Sequence, residues 1–285
     1  MYDVIIVGAG PAGISAGLYA KRANLDVLIL YYENSAIEKT EKIDNYYGFP
    51  NGVSGKQLYE NGIVQAKMLG IEIKKEEIIN IENNLDSKYI VKSQKESYEA
   101  KAVIIATGNK RIKPNIIGID EYEGKGISYC AICDGFFYRN KNVVVLGNGK
   151  FALSEADDLK NIVGSLKILT NGLNAPENCE YGVDIRIIKQ IYGDIKVSHI
   201  EFEDGEKLEV DGIFIAQGVA GGYDFAKKLG VMIENDKIIV NENMETNLKG
   251  LYACGDITGG IYQISKAVYD GAKAGLEVTK YIKSL

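Results

Sequence analysis

Hydrophobic residues in this chain fall in short unbroken runs, set between glycine-rich turns and stretches of helical periodicity. Residues 4–7, 27–30 and 102–106 are apolar without alternation, the pattern of strands buried on both faces of a parallel sheet. A helical stretch at about 12–23 separates the first two, so the first thirty residues predict a β-α-β unit. The same opening recurs later: a strand at 142–146, a turn at 147–149, a helix over 151–162 and a strand at 166–169. Alternating segments at 196–202 and 207–210 predict a β-meander, 213–216 another buried strand, and 263–282 a C-terminal helix. The fold class expected is α/β, built around two Rossmann-like openings.

A length of 285 residues suggests about two domains, because single cores stop growing near ~250 residues. A net charge of −6 argues against a nucleic-acid partner, which needs clustered Lys and Arg. No apolar run approaches the ~18 residues of a membrane span, and the chain enters its first strand-like run without a charged leader, so a cytoplasmic protein is expected. The 33 basic residues include only four arginines, Arg22, Arg111, Arg139 and Arg186, which leaves few places for a guanidinium clamp on phosphate. With a single histidine, His-paired nucleophiles and multi-histidine metal sites are nearly excluded.

Gly8, Gly10 and Gly13 form G-x-G-x-x-G between a predicted strand and helix. The first glycine allows the turn, the second lets a pyrophosphate approach the backbone, and the third lets helix and strand pack closely. Glu33, twenty residues after Gly13, is placed to take a ribose hydroxyl, although Tyr31 and Tyr32 occupy the first positions after the strand. The second loop, Gly147-Asn148-Gly149-Lys150-Phe151-Ala152, keeps the spacing but sets a charge and a bulky ring where a pyrophosphate needs space; a turn that only packs is the favoured reading.

Cys130-Ala131-Ile132-Cys133 precedes Asp134 directly. Structural zinc wants four ligands, and Cys179, Cys254 and His199 are scattered singly, so no metal site is expected. A lone C-x-x-C reads better as a redox dithiol, and Asp134 is the nearest proton donor for a departing thiolate. Cys179, Cys254 and His199 are read as structural.

These residues carry a resemblance that spans the chain. Val7-Gly8-Ala9-Gly10-Pro11-Ala12-Gly13, Asp44-Asn45 before Gly48-Phe49-Pro50, Ala106-Thr107-Gly108, the C-A-I-C-D-G-F-F-Y run from Cys130 to Tyr138 and Gly255-Asp256 together resemble the low-molecular-weight thioredoxin reductases of the pyridine nucleotide-disulfide oxidoreductase group. The resemblance implies FAD in a discontinuous domain (residues 1–114 and 243–285) and a second, reduced NAD(P)H-binding-like domain inserted into the first (115–242) that carries the dithiol. It implies that Gly8, Gly10, Pro11, Ala12 and Gly13 hold the FAD pyrophosphate, that Asn45 lies near the flavin, and that Thr107-Gly108 support the cofactor. Asp256 would bind the ribityl-phosphate region and Gln263-Ile264 would cap the ring. By the same resemblance Cys133 exchanges electrons with the flavin, Cys130 attacks the partner's disulfide, and Asp134 is the general acid and base. Thioredoxin as partner and a homodimer are carried over with it.

The sequence departs from the NADPH-dependent members after the second loop. Those enzymes carry a His-Arg-Arg cluster for the 2′-phosphate, where this chain has Leu169-Thr170-Asn171-Gly172-Leu173-Asn174-Ala175. Losing charge-assisted contacts of about 1.5 to 3 kcal/mol each would weaken NADPH binding by orders of magnitude. The next strand candidate, residues 183–188, begins thirteen residues after Thr170, an interval whose Asn171-Gly172, Pro176 and Gly182 oppose a crossover helix. No acidic residue follows Leu169 to take NADH either. The sequence therefore looks most like the ferredoxin-dependent flavin thioredoxin reductases of anaerobic bacteria, with reduced ferredoxin as expected donor and NADPH not expected. An acidic chain needs a local lysine patch to meet an acidic ferredoxin. The alternatives are an NAD(P)H-dependent thioredoxin reductase with an atypical nucleotide site and a flavin-binding redox sensor without turnover.

Overall fold

The computed structural model describes residues 1–32, 35–84, 88–108, 114–129, 131–218 and 221–285, with Cys133 described by its backbone alone. The chain divides into two compact units, Met1–Lys110 with Gly221–Leu285, and Arg111–Ala220. In order, the first segment forms β1 (Tyr2–Val7), α1 (Pro11–Arg22), β2 (Val27–Tyr31), α2 (Gly55–Met68), β3 (Glu72–Lys75), β4 (Ile78–Asn83), β5 (Tyr89–Ser93) and β6 (Ser97–Ile105). The second unit holds β7 (Ile127–Ser128), the one-turn helix α3 (Ala131–Asp134), β8 (Asn142–Leu146), α4 (Lys150–Leu159), β9 (Ser165–Leu169), β10 (Gly182–Asp184), β11 (Ile188–Gly193), β12 (Val197–Phe202), β13 (Lys207–Glu209) and β14 (Gly212–Ile215). The chain returns through α5 (Gly222–Leu229), the strand pair β15 (Ile233–Glu234) and β16 (Lys237–Ile238), β17 (Leu251–Ala253) and α6 (Ile264–Lys283).

The sheet of the first unit has the order β3-β2-β1-β6-β5-β4, and β17 also pairs with β6. Its center is the expected β-α-β unit, with Val4 opposite both Val27 and Ala102 in parallel register. One edge of β6 pairs with β1 and the other serves two partners in turn. Its first half alternates between exposed and buried positions and pairs antiparallel with β5, whereas residues 102–105 are buried throughout and 103–105 pair parallel with β17. The apolar core joins β1, β2 and β6 to α1 and α6, through residues such as Ile6, Ile29, Ile104, Ala16, Ala274 and Val278.

The second unit has three layers. A parallel sheet of order β10-β9-β8-β14-β7 lies between α4 and the antiparallel meander β11-β12-β13. Alternation along β8 assigns the faces: Val143 and Val145 pack with Phe151, Ala152 and Leu159 of α4, while Val144 and Leu146 pack with Ile191, Ile200 and Phe202 of the meander. The expected absence of a crossover helix holds, since the described residues 170–181 between the parallel strands β9 and β10 contain none. The strand candidate 183–188 is in fact two elements, β10 ending at Asp184 and β11 starting at Ile188.

The units also correct the expected boundaries. Residues 221–242, assigned from the sequence to the inserted domain, belong to the first unit. Gly222 N–H donates to Thr107 Oγ1 at 3.0 Å, and Met232 N–H donates to Asn247 Oδ1 at 2.8 Å, so α5 and the segment after it are fastened to the first unit.

Candidate functional site

The glycine loop of the first unit is built by steric necessity. Gly8 has φ +117°, and a Cβ there would lie 2.3 Å from the Ala106 carbonyl oxygen; one at Gly13 would lie 1.9 Å from the Gly8 carbonyl oxygen. Both contacts are impossible for any side chain, so strand end and helix start meet backbone to backbone. Pro11 opens α1, where its missing N–H loses nothing, and no side chain caps the helix. With Ala12 and Gly13 as the next residues, this N-terminus is bare backbone carrying the positive end of a three-turn helix. These features fit a pyrophosphate.

Six other predicted residues lie in the same unit. Asn45 Nδ2 donates to Gln263 Oε1 at 3.1 Å, and Gln263 directly precedes α6, whose first residue is Ile264. Asp256 lies in the Gly255–Thr258 turn that follows β17, half-buried, and its carboxyl sits above the ordinary range because burial disfavours the charge, with Lys266 opposing and Asp270 adding to the shift. Thr107 ends the strand segment after β6, and its hydroxyl accepts the Gly222 N–H. Gly108 has φ +73°, and no described residue stands within 4 Å of where its side chain would be. Glu33 lies outside the described residues.

The dithiol segment belongs to the second unit. Cys130 and the Cys133 side chain lie outside the described residues, but the frame around them is defined. Ala131, bonded to Cys130 and first in α3, donates its N–H to Glu155 Oε2 at 2.7 Å; Glu155 is fully buried on α4. At the other end of α3, Asp134 Oδ2 accepts from Ser128 Oγ at 2.6 Å. Two carboxylates thus hold the two ends of one turn. Sequence reasoning found Asp134 by adjacency and missed Glu155, whose signal is an acid between Ala152 and Ala156 on the apolar face of a helix. Beside this turn Ile132, Phe136 and Phe137 are exposed, the last two by 67% and 70%, with the Arg139 guanidinium 5.2 Å from the Phe136 ring center.

The second glycine loop differs from its expected form. Phe151 is buried among Val143, Val145 and Phe214, so its ring fills the core and does not obstruct the loop. The segment after β9 is committed to its own fold. Thr170 Oγ1 donates to the Leu173 carbonyl at 2.6 Å, Asn171 Oδ1 accepts the Ile188 N–H at 2.7 Å, and Gly172 N–H donates to the Ile185 carbonyl. Arg186 pairs with Asp184 at 2.6 Å, lies 3.9 Å from the Phe202 ring center and reaches Asp204 at 3.7 Å. Arg22 ends α1 in the other unit, and Arg111 lies outside the described residues. Of the side chains read as structural, Cys254 is fully buried with its thiol pushed far up by that burial, Cys179 is half-buried and free, and His199 stacks on Tyr192 at 5.0 Å.

Comparison with known proteins gives the family. The sequence profile described as "Pyridine nucleotide-disulphide oxidoreductase" matches residues 2–271. The chain belongs to this family, in its low-molecular-weight thioredoxin reductase branch. It is 34% identical to the thioredoxin reductase of Aquifex aeolicus over 99% of this chain and 94% of that one. Among solved structures it is similar to the atypical thioredoxin reductase TRi of Desulfovibrio vulgaris Hildenborough, at 37% identity and a TM-score of 0.93 over 100% and 99% of the two chains. It is also similar to a ferredoxin-flavin thioredoxin reductase of Clostridium acetobutylicum, at 31% identity and 0.71, over 100% and 99%. Family membership makes the chain a flavoprotein oxidoreductase of the thioredoxin reductase type, with FAD as the implied cofactor. The bare N-terminus of α1 and the Gly8 approach fit that group.

Proposed function

We propose that the chain reduces thioredoxin, or a thioredoxin-like protein, through Cys130 and Cys133, and that its electrons come from reduced ferredoxin rather than NADPH. The observation that carries the donor assignment is the segment after β9. Its polar groups are bonded within the second unit, and it holds no arginine. A 2′-phosphate wants a planar cationic clamp, and Arg186, the nearest in sequence, is engaged by two carboxylates and a ring. The likeness to a ferredoxin-flavin enzyme supports the same reading.

FAD, held by Gly8, Gly10, Pro11, Ala12, Gly13, Thr107, Gly108 and Asp256 with Asn45, Gln263 and Ile264 at the ring, would accept electrons singly and deliver a pair to a disulfide. The remaining chemistry belongs to the chain. Asp134 takes the Cys130 proton; the Cys130 thiolate attacks a sulfur of the partner's disulfide and expels a thiolate, which takes that proton from Asp134. Asp134 then takes the Cys133 proton as Cys133 attacks the Cys130 sulfur, closes the protein disulfide and expels the second partner thiolate, which receives that proton, so the partner gains two electrons and two protons. Ser128 fixes Asp134 and Glu155 fixes the Ala131 peptide, so both ends of α3 are held. The exposed Ile132, Phe136 and Phe137 offer an apolar landing for the partner. The expected homodimer and cytoplasmic location accompany this reading.

One observation favours a second reading, an NAD(P)H-dependent enzyme with an atypical site. Phe151 points into the core, and no side chain caps the N-terminus of α4, so the Gly147 loop still leads into a helix end of the kind that suits a pyrophosphate. Anaerobic mixing of the oxidised holoprotein with excess NADPH, NADH or reduced ferredoxin separates the two. Flavin absorbance at rest with both nucleotides and rapid bleaching with ferredoxin is expected; rapid bleaching by NADPH would overturn the ferredoxin assignment.

A further inference from the structure

Lys266 occupies an unfavourable place. It is the third residue of α6, a twenty-residue helix, where the macrodipole opposes a cation by about 0.3–1 kcal/mol and where acids are the usual occupants. Its side chain is only 17% exposed. Contacts of matching strength must offset both penalties, and they are all made to one short turn and one carboxylate. The ammonium donates to the Gly255 carbonyl at 2.7 Å, to Thr258 Oγ1 at 2.9 Å and to Asp270 Oδ2 at 2.7 Å, so each of its three protons has an acceptor.

Asp270 completes the arrangement. It lies one helical turn further along α6, almost fully buried, and the same Oδ2 accepts the Gly255 N–H at 3.2 Å. Both backbone polar groups of Gly255 are therefore held by one ion pair. Gly255 has φ +82°, and a Cβ there would stand 2.8 Å from Ala12 Cβ, so this buried peptide is pressed against the start of α1, beside the pyrophosphate loop. Thr258 Oγ1 donates back to the Gly255 carbonyl at 2.8 Å, closing the turn that carries Asp256. Replacing a buried ion pair by apolar residues is often neutral or stabilising, so global stability alone is a weak reason for this pair to exist.

We infer that Lys266 and Asp270 form a clamp that fixes the Gly255–Thr258 turn, and with it Asp256, in the form that binds FAD, with Lys266 as a positioning residue for the cofactor. The inference rests on the FAD reading above and adds to it two residues that the glycine and Gly-Asp motifs do not contain. The partners are unequal in this role. Lys266 alone reaches the carbonyl and the Thr258 hydroxyl, whereas an amide at position 270 can still accept from both Lys266 and the Gly255 N–H.

The test is FAD binding by the apoprotein of the full chain, followed by flavin fluorescence quenching, with apoprotein melting measured in parallel. Lys266→Met is expected to raise the Kd for FAD about tenfold or more, the effect of losing one or two charge-assisted hydrogen bonds. Asp270→Asn is expected to stay within about threefold of wild type, and Thr258→Val, which removes a contact without burying a charge, to fall between them. An unchanged FAD affinity in folded Lys266→Met overturns the clamp. Equal weakening in Lys266→Met and Asp270→Asn with matching losses of melting temperature also overturns it, because that is the behaviour of a pair that only stabilises the fold. A wild-type apoprotein that binds no FAD sinks the cofactor assignment itself, an outcome distinct from either.

Discussion

Asn45 Nδ2 donates to Gln263 Oε1 over 3.1 Å, joining two side chains 218 residues apart in the chain. One follows the 3-10 turn after β2 and the other directly precedes α6, so the first unit brings both expected flavin neighbours to one place. The pair is exposed, and such a bond contributes about 0.5–1.5 kcal/mol at most. Gln263→Ala is therefore expected to leave the apoprotein melting temperature nearly unchanged while speeding FAD release a few-fold, measured by transfer of the cofactor to an excess of another apoflavoprotein. An unchanged release rate would count against a role at the ring.

The dithiol relay makes a sharper demand. Cys133→Ser is expected to keep FAD bound and to leave flavin bleaching by the donor intact, while thioredoxin reduction falls to background. Steady-state turnover that survives this substitution refutes the relay, whatever the electron donor proves to be.

Glu155 links stability to the same turn. Glu155→Leu leaves the Ala131 N–H buried without its acceptor, a loss of about 1–3 kcal/mol, whereas Glu155→Gln keeps an oxygen in place and is expected to lose less. Urea denaturation of the holoprotein measures the difference. In the Leu variant alkylation of the reduced dithiol is also expected to lose selectivity between its two sulfurs; equal stability of the Leu and Gln variants would show that the bond to Ala131 is incidental.

Asp256 carries a pH dependence whose sign follows from its raised pKa. A carboxyl that holds its proton more tightly in the folded than in the unfolded chain lowers stability as pH rises from its ordinary value, near 4, through the folded one, and the penalty is complete above that. At pH 7 Asp256→Asn is therefore expected to raise the melting temperature of the apoprotein while weakening FAD binding. Asp184 contributes in the opposite direction. Its hydrogen bond to Arg186 holds its carboxyl below the ordinary range, so its contribution is present above pH 4 and is lost as pH falls through the folded value. Melting of Asp256→Asn against wild type at pH 4 and pH 7 reads the first effect directly: a difference that does not grow with pH contradicts it.

Much of this was legible in the sequence because close approach and burial leave marks that single residues carry. The Gly8 and Gly13 contacts admit no side chain, and the unbroken runs at 4–7 and 102–105 are what a strand buried on both faces requires. The missing crossover helix was visible in Asn171-Gly172, Pro176 and Gly182. What stayed hidden depends on partners far away. α2 buries only Gly55, Tyr59 and Ala66, too thin a stripe to show periodicity. Phe151 reads as an obstruction until α4 is seen to begin at Lys150 and turn the ring inward. Glu155, Lys266 and Asp270 look like ordinary charges on amphipathic helices, and only the fold reveals that each is buried against a backbone group of a functional turn.

The divided pairing of β6 imposes an order on assembly. Its first half can join β5 as soon as that hairpin is made, but on the same edge its second half waits for β17, which pairs Leu251 with Val103 across roughly 150 intervening residues. Most of that interval is the second unit, whose internal pairings all close between residues 111 and 220. A second unit that folds first takes most of that interval out of the loop left to close, and the entropy of closing the last strand falls accordingly. During synthesis from the N-terminus, the oxidoreductase thus completes the body bearing its sulfurs before the chain can close the sheet beneath its cofactor site.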